Sequence, residues 1–342
     1  MDYKGTIYRD DKLDKKISVA MISGLVGKTP EYITRSFIFN ESYRLAKRGI
    51  NINIIRPNVE GNSFSYGIHY YGLTKKIDMQ AFSFMIKNLP TYPLFSLFRR
   101  PESFYKENLY AMNVLKKIKQ KDMDLIHAHF AYREGLVGML ARKRTRKPLI
   151  ITVHGYDILV EQSIGYGVRL SKKIDAIVRR VLDDADAVIT ASKVMFNETS
   201  KIVNNKSKIY LIPNGVDIKR YNSSLNSSYI KKSLGLKEVN IVFTLRRHEP
   251  KNGLEYLIKA AQIVTKNKKD VIFIIGGDGS LRAYHETLAG NLGLKDKVIF
   301  TGDIPYNKVP YYYAMSNITV VPSLQEAFGL VVSEAMACGK PV

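Results

Sequence analysis

The sequence predicts an α/β fold made of two doubly wound parallel sheets, each with helices on both faces. Short runs of β-branched residues alternate with longer amphipathic stretches, which is the pattern of repeated βαβ units. The alternation pauses at a run rich in serine and asparagine, YNSSLNSSY at 221–229, and then starts again. The 342 residues are also enough for two separate cores. We therefore expect one Rossmann-like domain over residues 1–217 and a second over residues 218–342.

The first domain is predicted from six strand-like runs. Amphipathic stretches lie between them, such as residues 31–49, where apolar residues recur at helical spacing before a glycine. This alternation predicts a parallel sheet. The six runs are KISVAMI (16–22), NINIIRP (51–57), DLIHAHF (124–130), LIITVHG (149–155), DAVITAS (186–192) and KIYLIP (208–213).

The second domain repeats the pattern with four runs. They are NIVFTL (240–245), DVIFIIGG (270–277), KVIFTGD (297–303) and ITVVPS (318–323). Helices are predicted from Gly253, over 280–292, near 307–314 and over 329–338. Pro341 and Val342 are typical of the first step of a further strand, so we expect this domain to be incomplete at its C-terminal end.

The composition is that of a soluble globular protein, with 45% hydrophobic and 25% charged residues, which excludes disordered and fibrous classes. A single cysteine, Cys338, excludes an internal disulfide and a cysteine-rich metal site and favours a reducing compartment. The polar N-terminus lacks the features of a secretory signal, and no apolar run has the length of a membrane helix. We therefore expect a cytoplasmic protein.

The net charge of +22 indicates an anionic partner, although a solvated basic surface is the alternative. Residues 1–150 carry 27 Lys and Arg against 13 Asp and Glu, a net +14. Nucleic acid is the least favoured partner because no helix-turn-helix, zinc-finger or aromatic RNA-binding pattern is present. The segment 75–101, rich in Phe, Met and Tyr with flanking cations, fits either a membrane surface or acceptor cleft, or a packed insertion.

Two glutamates eight positions apart lie where the last predicted strand leads into a helix, in EAFGLVVSE (326–334). Ligands bind at the carboxyl ends of strands in doubly wound sheets. Glu326 in the loop and Glu334 in the helix could accept hydrogen bonds from two parts of one ligand. The free N–H groups of Phe328–Val331 would favour a phosphate or a sugar hydroxyl. An exposed loop acid and an ordinary helix acid are the alternative.

A second cluster, LRRHEPKNG at 245–253, places cations after another strand. Arginine can grip two phosphate oxygens while lysine supplies a point charge, so Arg246 and Lys251 suit a pyrophosphate. Surface solvation is the alternative. The glycines of GGDG (276–279) are weaker evidence because they also suit a tight turn.

Other residues are predicted to face the same edge of the first sheet. Gly24 and Gly27 follow the first strand, and His154 lies in a loop after another. His127 and His129 are assigned to either the core or the lining of this crevice. Asp122–Asp124 and Asp184–Asp186 match a metal-binding pattern but lie where helices pass into strands, which favours a structural role. The basic run RKRTRK (142–147) resembles a nucleic-acid-binding patch, but cations at the C-terminus of a helix also complement the helix dipole.

With these motifs in order, the chain resembles the family-4 group of retaining, nucleotide-sugar-dependent glycosyltransferases, which have the GT-B fold of two Rossmann-like domains facing across a cleft. The most specific part is the Glu-x7-Glu signature from Glu326 to Glu334, followed by a small-residue helix and Gly-Lys-Pro-Val. The other matching motifs are LAKRGI (45–50), HAHFA (127–131), VHGYD (153–157), IPNGVD (212–217) and GGDG (276–279).

The resemblance implies a role for each predicted site residue. Glu334 would bind the ribose hydroxyls, and Glu326 the transferred sugar. Arg246 would hold the diphosphate, with His154 directed toward the sugar. Because Asn252 occupies the position where many members have lysine, the phosphate-binding lysine is assigned to Lys251 just before it. The remaining donor-binding candidates are Phe328, Gly329, Leu330, Val331, Gly277, Gly24 and Gly27.

The resemblance also implies the reaction. A sugar would pass with retained configuration from a UDP- or GDP-linked donor to an acceptor hydroxyl on a glycan or a lipid-linked or phosphorylated molecule. We expect no cofactor and no metal, because Arg246 and Lys251 would neutralise the diphosphate, and we predict activity in a chelator. The chain would work in the cytoplasm or on the cytoplasmic membrane face. The alternative is an inactive, truncated fragment that only binds a sugar nucleotide.

Overall fold

The computed structural model describes residues 16–25, 36–57, 61–72 and 101–342, together with positions 83 and 86. The described residues form two compact units. Unit 1 contains residues 16–25, 37–57, 61–72, 101–152 and 184–187, and unit 2 contains residues 153–183 and 188–342. The predicted division at residue 217 stays a prediction, and the fold is described here by these two units.

Unit 1 is built on a sheet whose strands follow the order β3-β4-β2-β1-β5-β6. Its strands are β1 Ser18–Ile22, β2 Asn51–Ile55, β3 Asn62–Ser65, β4 Ile68–Tyr71, β5 Leu125–His129 and β6 Leu149–Thr152. Its helices are α1 Ser36–Lys47, α2 Pro101–Gln120 and α3 Glu134–Thr145. β1 lies between β2 and β5, and both pairings are parallel. All five side chains of β1 are buried, which explains why its sequence is nearly continuous in apolar residues.

One edge of the sheet in unit 1 is antiparallel, and the sequence did not predict this edge strand. β3 pairs antiparallel with β4 through a two-residue turn, in which Tyr66 and Gly67 have φ angles of 55° and 73°. Positive φ at both positions is the geometry that matches the twist of a hairpin. β3 has the sequence NSFS and is largely exposed, so it lacks the apolar pattern by which strands are recognised.

Unit 2 contains a parallel sheet in the order β11-β10-β9-β12 and two further parallel strands, β7 and β8, which end the eight-strand order β3-β4-β2-β1-β5-β6-β7-β8. Its strands are β7 Ala187–Thr190, β8 Ile209–Leu211, β9 Asn240–Leu245, β10 Val271–Gly276, β11 Val298–Gly302 and β12 Ile318–Thr319. Its helices are α4 Lys172–Asp184, α5 Lys193–Ser200, α6 Ser228–Ser233, α7 Leu254–Asn267, α8 Arg282–Asn291, α9 Val309–Met315 and α10 Leu330–Ala337. The four runs predicted for this sheet all form strands.

Two apolar clusters cover the faces of the β9–β12 sheet. One contains Phe243 and Ile274 with residues of α9 and α10, and the other contains Phe273 and Ile275 with residues of α7. Alternate residues of a strand point to opposite faces, which places these neighbours in different clusters. Buried Cys338 belongs to the first cluster, as predicted. In the described part of the chain, no helix combines the length and apolar character needed to cross a bilayer.

Candidate active site

Arg246 lies directly after β9, at the carboxyl edge of the sheet in unit 2. Its N–H donates to the carbonyl of Gly276 at the end of β10 (2.9 Å), which fixes its backbone at that edge. Its guanidinium donates to Ser323 Oγ and to the carboxylate of Glu326. The Arg246 side chain is only 10% exposed, so this contact is a nearly buried ion pair. The structure therefore brings the predicted cation of one loop to the predicted carboxylate of another.

Lys251 reaches the same place from the turn Pro250–Asn252. Its carbonyl accepts a hydrogen bond from the N–H of Leu324 (2.9 Å), which ties the two loops together. The ammonium nitrogen lies 5.1 Å from the centre of the Tyr166 ring. Burial lowers the pKa of Lys251, and the nearby negative charge of Glu326 opposes that shift. Lys251 is therefore a second cation near the carboxylate.

Asn252 performs a different task from its neighbour. Its side chain is buried and donates to the carbonyl of Arg247 (2.7 Å), which closes the turn. Gly253 follows with φ of 61°, and a Cβ there would lie 2.1 Å from the carbonyl oxygen of Pro322. Only glycine fits this approach of the two loops. The side chain near the carboxylate thus belongs to Lys251, while Asn252 holds the loop in shape.

Glu326 is negatively charged at neutral pH despite its partial burial. Burial alone would raise its pKa, but the charge and hydrogen bond of Arg246 and the charge of Lys251 outweigh burial and lower it. One carboxylate oxygen also accepts from the N–H of Ala327 (3.1 Å). The side chain remains 32% exposed, so a ligand can reach it. This arrangement presents a fixed negative charge between two cations.

The loop that carries His154 packs against the Glu326 loop within unit 2. Buried Asp157 accepts from the N–H groups of both His154 and Gly155, at 3.0 Å each. Gly155 has φ of 111°, and a Cβ there would lie 2.6 Å from the Cβ of Ala327. Glycine is needed for this close approach. It brings the backbone of His154 next to the residue that follows Glu326.

Tyr166 also belongs to this cluster, and the sequence analysis missed it. It lies between Gly165 and Gly167, with φ angles of 62° and 108°. Burial raises the pKa of its hydroxyl, and the negative charges of Asp157 and Glu326 add to that effect. Its phenol therefore stays protonated beside two carboxylates. A tyrosine between two glycines was the available signal, but it does not distinguish this role from an ordinary turn.

α10 begins beside Glu326 and offers free backbone donors. Gly329 takes a left-handed conformation (φ 80°) and precedes the first helical residue. Four consecutive N–H groups have no acceptor among the described residues; they belong to Phe328, Gly329, Leu330 and Val331. A helix N-terminus with such groups attracts anions and hydroxyl oxygens. All four residues were predicted from the sequence.

Glu334 lies one turn further along α10, in a different environment. It accepts a hydrogen bond from the hydroxyl of Tyr313 (3.2 Å). Burial raises its pKa to about 7, although Tyr221, Tyr313 and the positive charge of Arg220 act in the opposite direction. Glu334 is thus partly protonated at neutral pH. The two glutamates of the motif share a helix start but differ in charge state.

The predicted glycines fall in different places. Gly277 has φ of 112°, and a Cβ there would lie 2.2 Å from the carbonyl oxygen of Arg246, so it supports the backbone under the site. Gly24 belongs to unit 1, where its N–H donates to the carboxylate of Glu134 (3.2 Å). Gly27 lies outside the described residues, as does almost all of segment 75–101.

Asp184 and Asp186, two of the aspartates discounted as metal ligands, make structural contacts in unit 1, as predicted. Asp186 binds Arg142 through two hydrogen bonds of 2.7 and 3.1 Å and accepts from the N–H of Leu149 (2.8 Å). Asp184 lies 3.6 Å from the same guanidinium. Arg142 of the basic run 142–147 therefore forms ion pairs within the protein.

Comparison with known proteins agrees with this geometry. The family described as Glycosyltransferase Family 4 matches residues 36–220, more than half of the chain. The chain belongs to this family. A second family, Glycosyl transferases group 1, matches residues 226–342, which include all the site residues from Arg246 to Glu334.

Relatives of this family-4 chain act on varied acceptors, according to their names. The D-inositol 3-phosphate glycosyltransferase of Acidothermus cellulolyticus is 28% identical over 236 residues, covering 64% of this chain and 51% of the relative. The alpha-monoglucosyldiacylglycerol synthase of Streptococcus pneumoniae is 25% identical over 312 residues, covering 89% of this chain and 69% of the relative. The chain thus spans about half to two thirds of the length of these relatives.

Solved structures give the fold. The Anabaena protein HepE, in complex with UDP and glucose, has a TM-score of 0.70 with 19% identity, and the match covers 95% of this chain and 80% of HepE. This likeness and the two α/β units confirm the predicted GT-B fold of Rossmann-like domains.

Proposed function

We propose that this family-4 chain transfers a sugar from a nucleotide-diphosphate sugar to an acceptor hydroxyl. The observation that carries the proposal is the contact of Arg246 with Glu326, with Lys251 close to the same carboxylate and free N–H groups at the start of α10. The cations and N–H groups suit a diphosphate, whereas the carboxylate of Glu326 can accept a hydrogen bond from a sugar hydroxyl. These groups converge at the carboxyl end of β9, where ligands bind in such sheets.

The leaving group determines the roles of the cations. Breaking the bond between the anomeric carbon and the diphosphate places negative charge on the phosphate oxygens. Arg246 and Lys251 would stabilise that charge together with the N–H groups of Phe328–Val331, because all of them are held in place before the reaction. Lys251 suits this role because its ammonium is partly desolvated and therefore interacts strongly with an anion.

The sugar would lie against the carboxylate of Glu326. Glu326 is ionised and can accept hydrogen bonds from the sugar hydroxyls while the ring becomes oxocarbenium-like. His154, on the loop next to Ala327, would contact the same sugar, and the acceptor would attack from the side of the leaving group so that configuration is retained. Glu334 would accept from the ribose hydroxyls when ionised.

Two features support the choice of substrates. HepE holds UDP and glucose, which supports a UDP-linked donor, with GDP as the alternative. By their names, one relative glycosylates an inositol phosphate and another synthesises a diacylglycerol glycolipid, and a net charge of +22 suits phosphorylated or membrane-bound acceptors. We therefore propose a lipid-linked or phosphorylated acceptor at the cytoplasmic face of a membrane. Binding to anionic vesicles at low salt tests this, and no binding there excludes the membrane.

The test of the donor site is a thermal-shift panel with UDP, GDP, ADP and their sugar conjugates, each with and without EDTA. A ligand that binds only the folded state must raise its melting temperature. We expect one nucleotide to act selectively, in EDTA as well, and Glu334→Ala to abolish the shift. Donor binding without product formation from any acceptor would instead identify a sugar-nucleotide-binding protein. A cooperative melt that no nucleotide moves would contradict the donor site itself.

A further inference from the structure

Unit 1 contains a compact set of metal-ligating side chains that the proposed reaction does not use. Glu41 lies on α1, and His127 and His129 lie on β5. One ligand atom from each residue lies within 4.8 Å of the other two. The residues that we assign to donor binding around Arg246 and Glu326 belong to unit 2, so this set is a separate feature.

The fold explains why these three side chains converge. His127 and His129 are two residues apart on a strand and therefore point to the same face of the sheet. Met21 of β1 is aligned with His127, and its sulfur accepts a hydrogen bond from the hydroxyl of Ser42 on α1 (2.9 Å). α1 therefore covers this face, and Glu41, next to Ser42, projects from the same helix.

The surroundings of His127 favour metal binding. Both are buried, and their ring centres lie 4.5 Å apart. His127 Nε2 lies 2.8 Å from the hydroxyl oxygen of Thr152. If Nε2–H donates to that oxygen, Nδ1 keeps its lone pair for a ligand, and such a hydrogen bond on the opposite nitrogen is the usual support of a metal-binding histidine.

Glu41 supplies the negative charge. No described residue donates a hydrogen bond to its carboxylate or forms an ion pair with it, and the residue is partly buried. A partly buried carboxylate without a cation is unfavourable, and a bound cation would offset this. Because Glu41 is not fully buried, an ion can reach the cluster from solvent.

We propose that Glu41, His127 and His129 form a binding site for a divalent transition-metal ion, with Zn²⁺ as the best match. Two imidazoles and one carboxylate are the protein ligands of many zinc sites that keep a fourth position open. Tetrahedral zinc at about 2.0–2.1 Å from its ligands separates them by roughly 3.4 Å, and the ligand atoms of these three residues already lie within 4.8 Å of one another. The open position would take water.

Metal titration of the whole chain tests the proposal. Protein stripped with a chelator and dialysed is titrated with Zn²⁺ by calorimetry and with Co²⁺ by visible absorption, which reports the coordination of the ion. We expect one ion per chain, displacement of Co²⁺ by Zn²⁺, and a higher melting temperature in Zn²⁺. Glu41→Gln and His129→Gln should each weaken binding by at least about tenfold. His69→Gln on β4 is the matched control and should bind like the wild type.

The design separates loss of a ligand from loss of the fold. Glu41→Gln preserves shape, so it should melt in EDTA at or above the temperature of the wild type while losing the Zn²⁺ shift. No stoichiometric binding by the wild type would overturn the proposal. So would equal affinity in Glu41→Gln, or an equal loss in His69→Gln, which would indicate ions on scattered surface groups. The nucleotide shift in EDTA is a separate measurement, so either result stands without the other.

Discussion

The surroundings of Glu326 and Glu334 differ, although the two residues lie on either side of the start of α10. Glu326 contacts the guanidinium of Arg246, and its pKa is lowered. Glu334 accepts from the hydroxyl of Tyr313, and its pKa is raised to about 7. Burial acts in the same direction on both carboxyls. The partners therefore decide the sign. Arg246 and Lys251 outweigh the desolvation of Glu326, whereas two tyrosine hydroxyls and the weaker effect of Arg220 do not outweigh that of Glu334.

The two carboxylates therefore have different roles in the proposed reaction. Glu326 is ionised at neutral pH, which suits contact with a sugar that gains positive charge. Glu334 titrates near neutral pH and can respond to its ligand: two hydroxyl donors would stabilise its ionised form. The following predictions test whether Arg246 controls the charge of Glu326, and whether Tyr313 separately controls the pKa of Glu334.

The largest effect on donor affinity is expected for Arg246→Ala. It removes the charge that keeps Glu326 ionised and a principal contact to the diphosphate. Affinity for the UDP sugar should fall by about 100-fold, equivalent to about 2.7 kcal/mol, as measured by calorimetry. Arg247→Ala is the matched control because that side chain is 66% exposed, and it should change affinity less than about threefold. Equal losses in both variants would remove Arg246 from the site.

Glu326→Gln should separate turnover from binding. The amide keeps the shape of the side chain but cannot stabilise a positively charged sugar, so turnover should fall by about 100-fold or more. Donor affinity should stay the same or increase, because Arg246 no longer has a competing carboxylate. Steady-state rates and calorimetry provide the two readings, and exposed Glu238→Gln is the control. A loss of affinity as large as the loss of turnover would contradict a role in the chemical step.

The parallel strands and the positions of the cations could be predicted from the sequence because both depend on local pattern. β-branched runs mark the strands, and the residues after a strand must lie at its carboxyl edge. Arg246 and Glu326 were therefore assigned to one crevice although they are 80 positions apart. Asn252 carried no such signal: its structural role becomes visible only through its hydrogen bond to Arg247.

Other features depend on contacts that no local pattern encodes. The raised pKa of Glu334 requires burial together with Tyr221 and Tyr313, which come from distant parts of the chain. Tyr166 lies beside Glu326 only because the glycines around it allow a tight loop. The β3–β4 hairpin was missed since β3 is short and exposed, and exposed strands have no apolar alternation to detect.

Glu334→Gln should make stability less dependent on pH. A carboxyl whose folded-state pKa is about 7, against 4.5 unfolded, stabilises the protein below pH 4.5 and loses that contribution as pH rises through 7. Glutamine cannot ionise, so the variant should exceed the wild type at pH 8 by about 3 kcal/mol and nearly match it at pH 4.5. Thermal melts from pH 4.5 to 8.5 measure this, and Glu238→Gln should follow the wild type. A constant difference at every pH would mean that Glu334 does not titrate in this range.

The smallest effect is expected for Tyr313→Phe, which removes one hydroxyl that stabilises ionised Glu334. Donor affinity should increase with pH as Glu334 ionises, with a midpoint below 7 because the ribose hydroxyls favour the ionised form. UDP-glucose is a suitable probe because its diesterified diphosphate does not titrate there. Without the Tyr313 hydroxyl, worth about 1 kcal/mol, the midpoint should rise by roughly 0.7 pH unit. Tyr312→Phe on the same helix should leave it unchanged. An unshifted midpoint in Tyr313→Phe would mean that burial alone sets the pKa of Glu334, and that the contrast with Glu326 depends only on its cations.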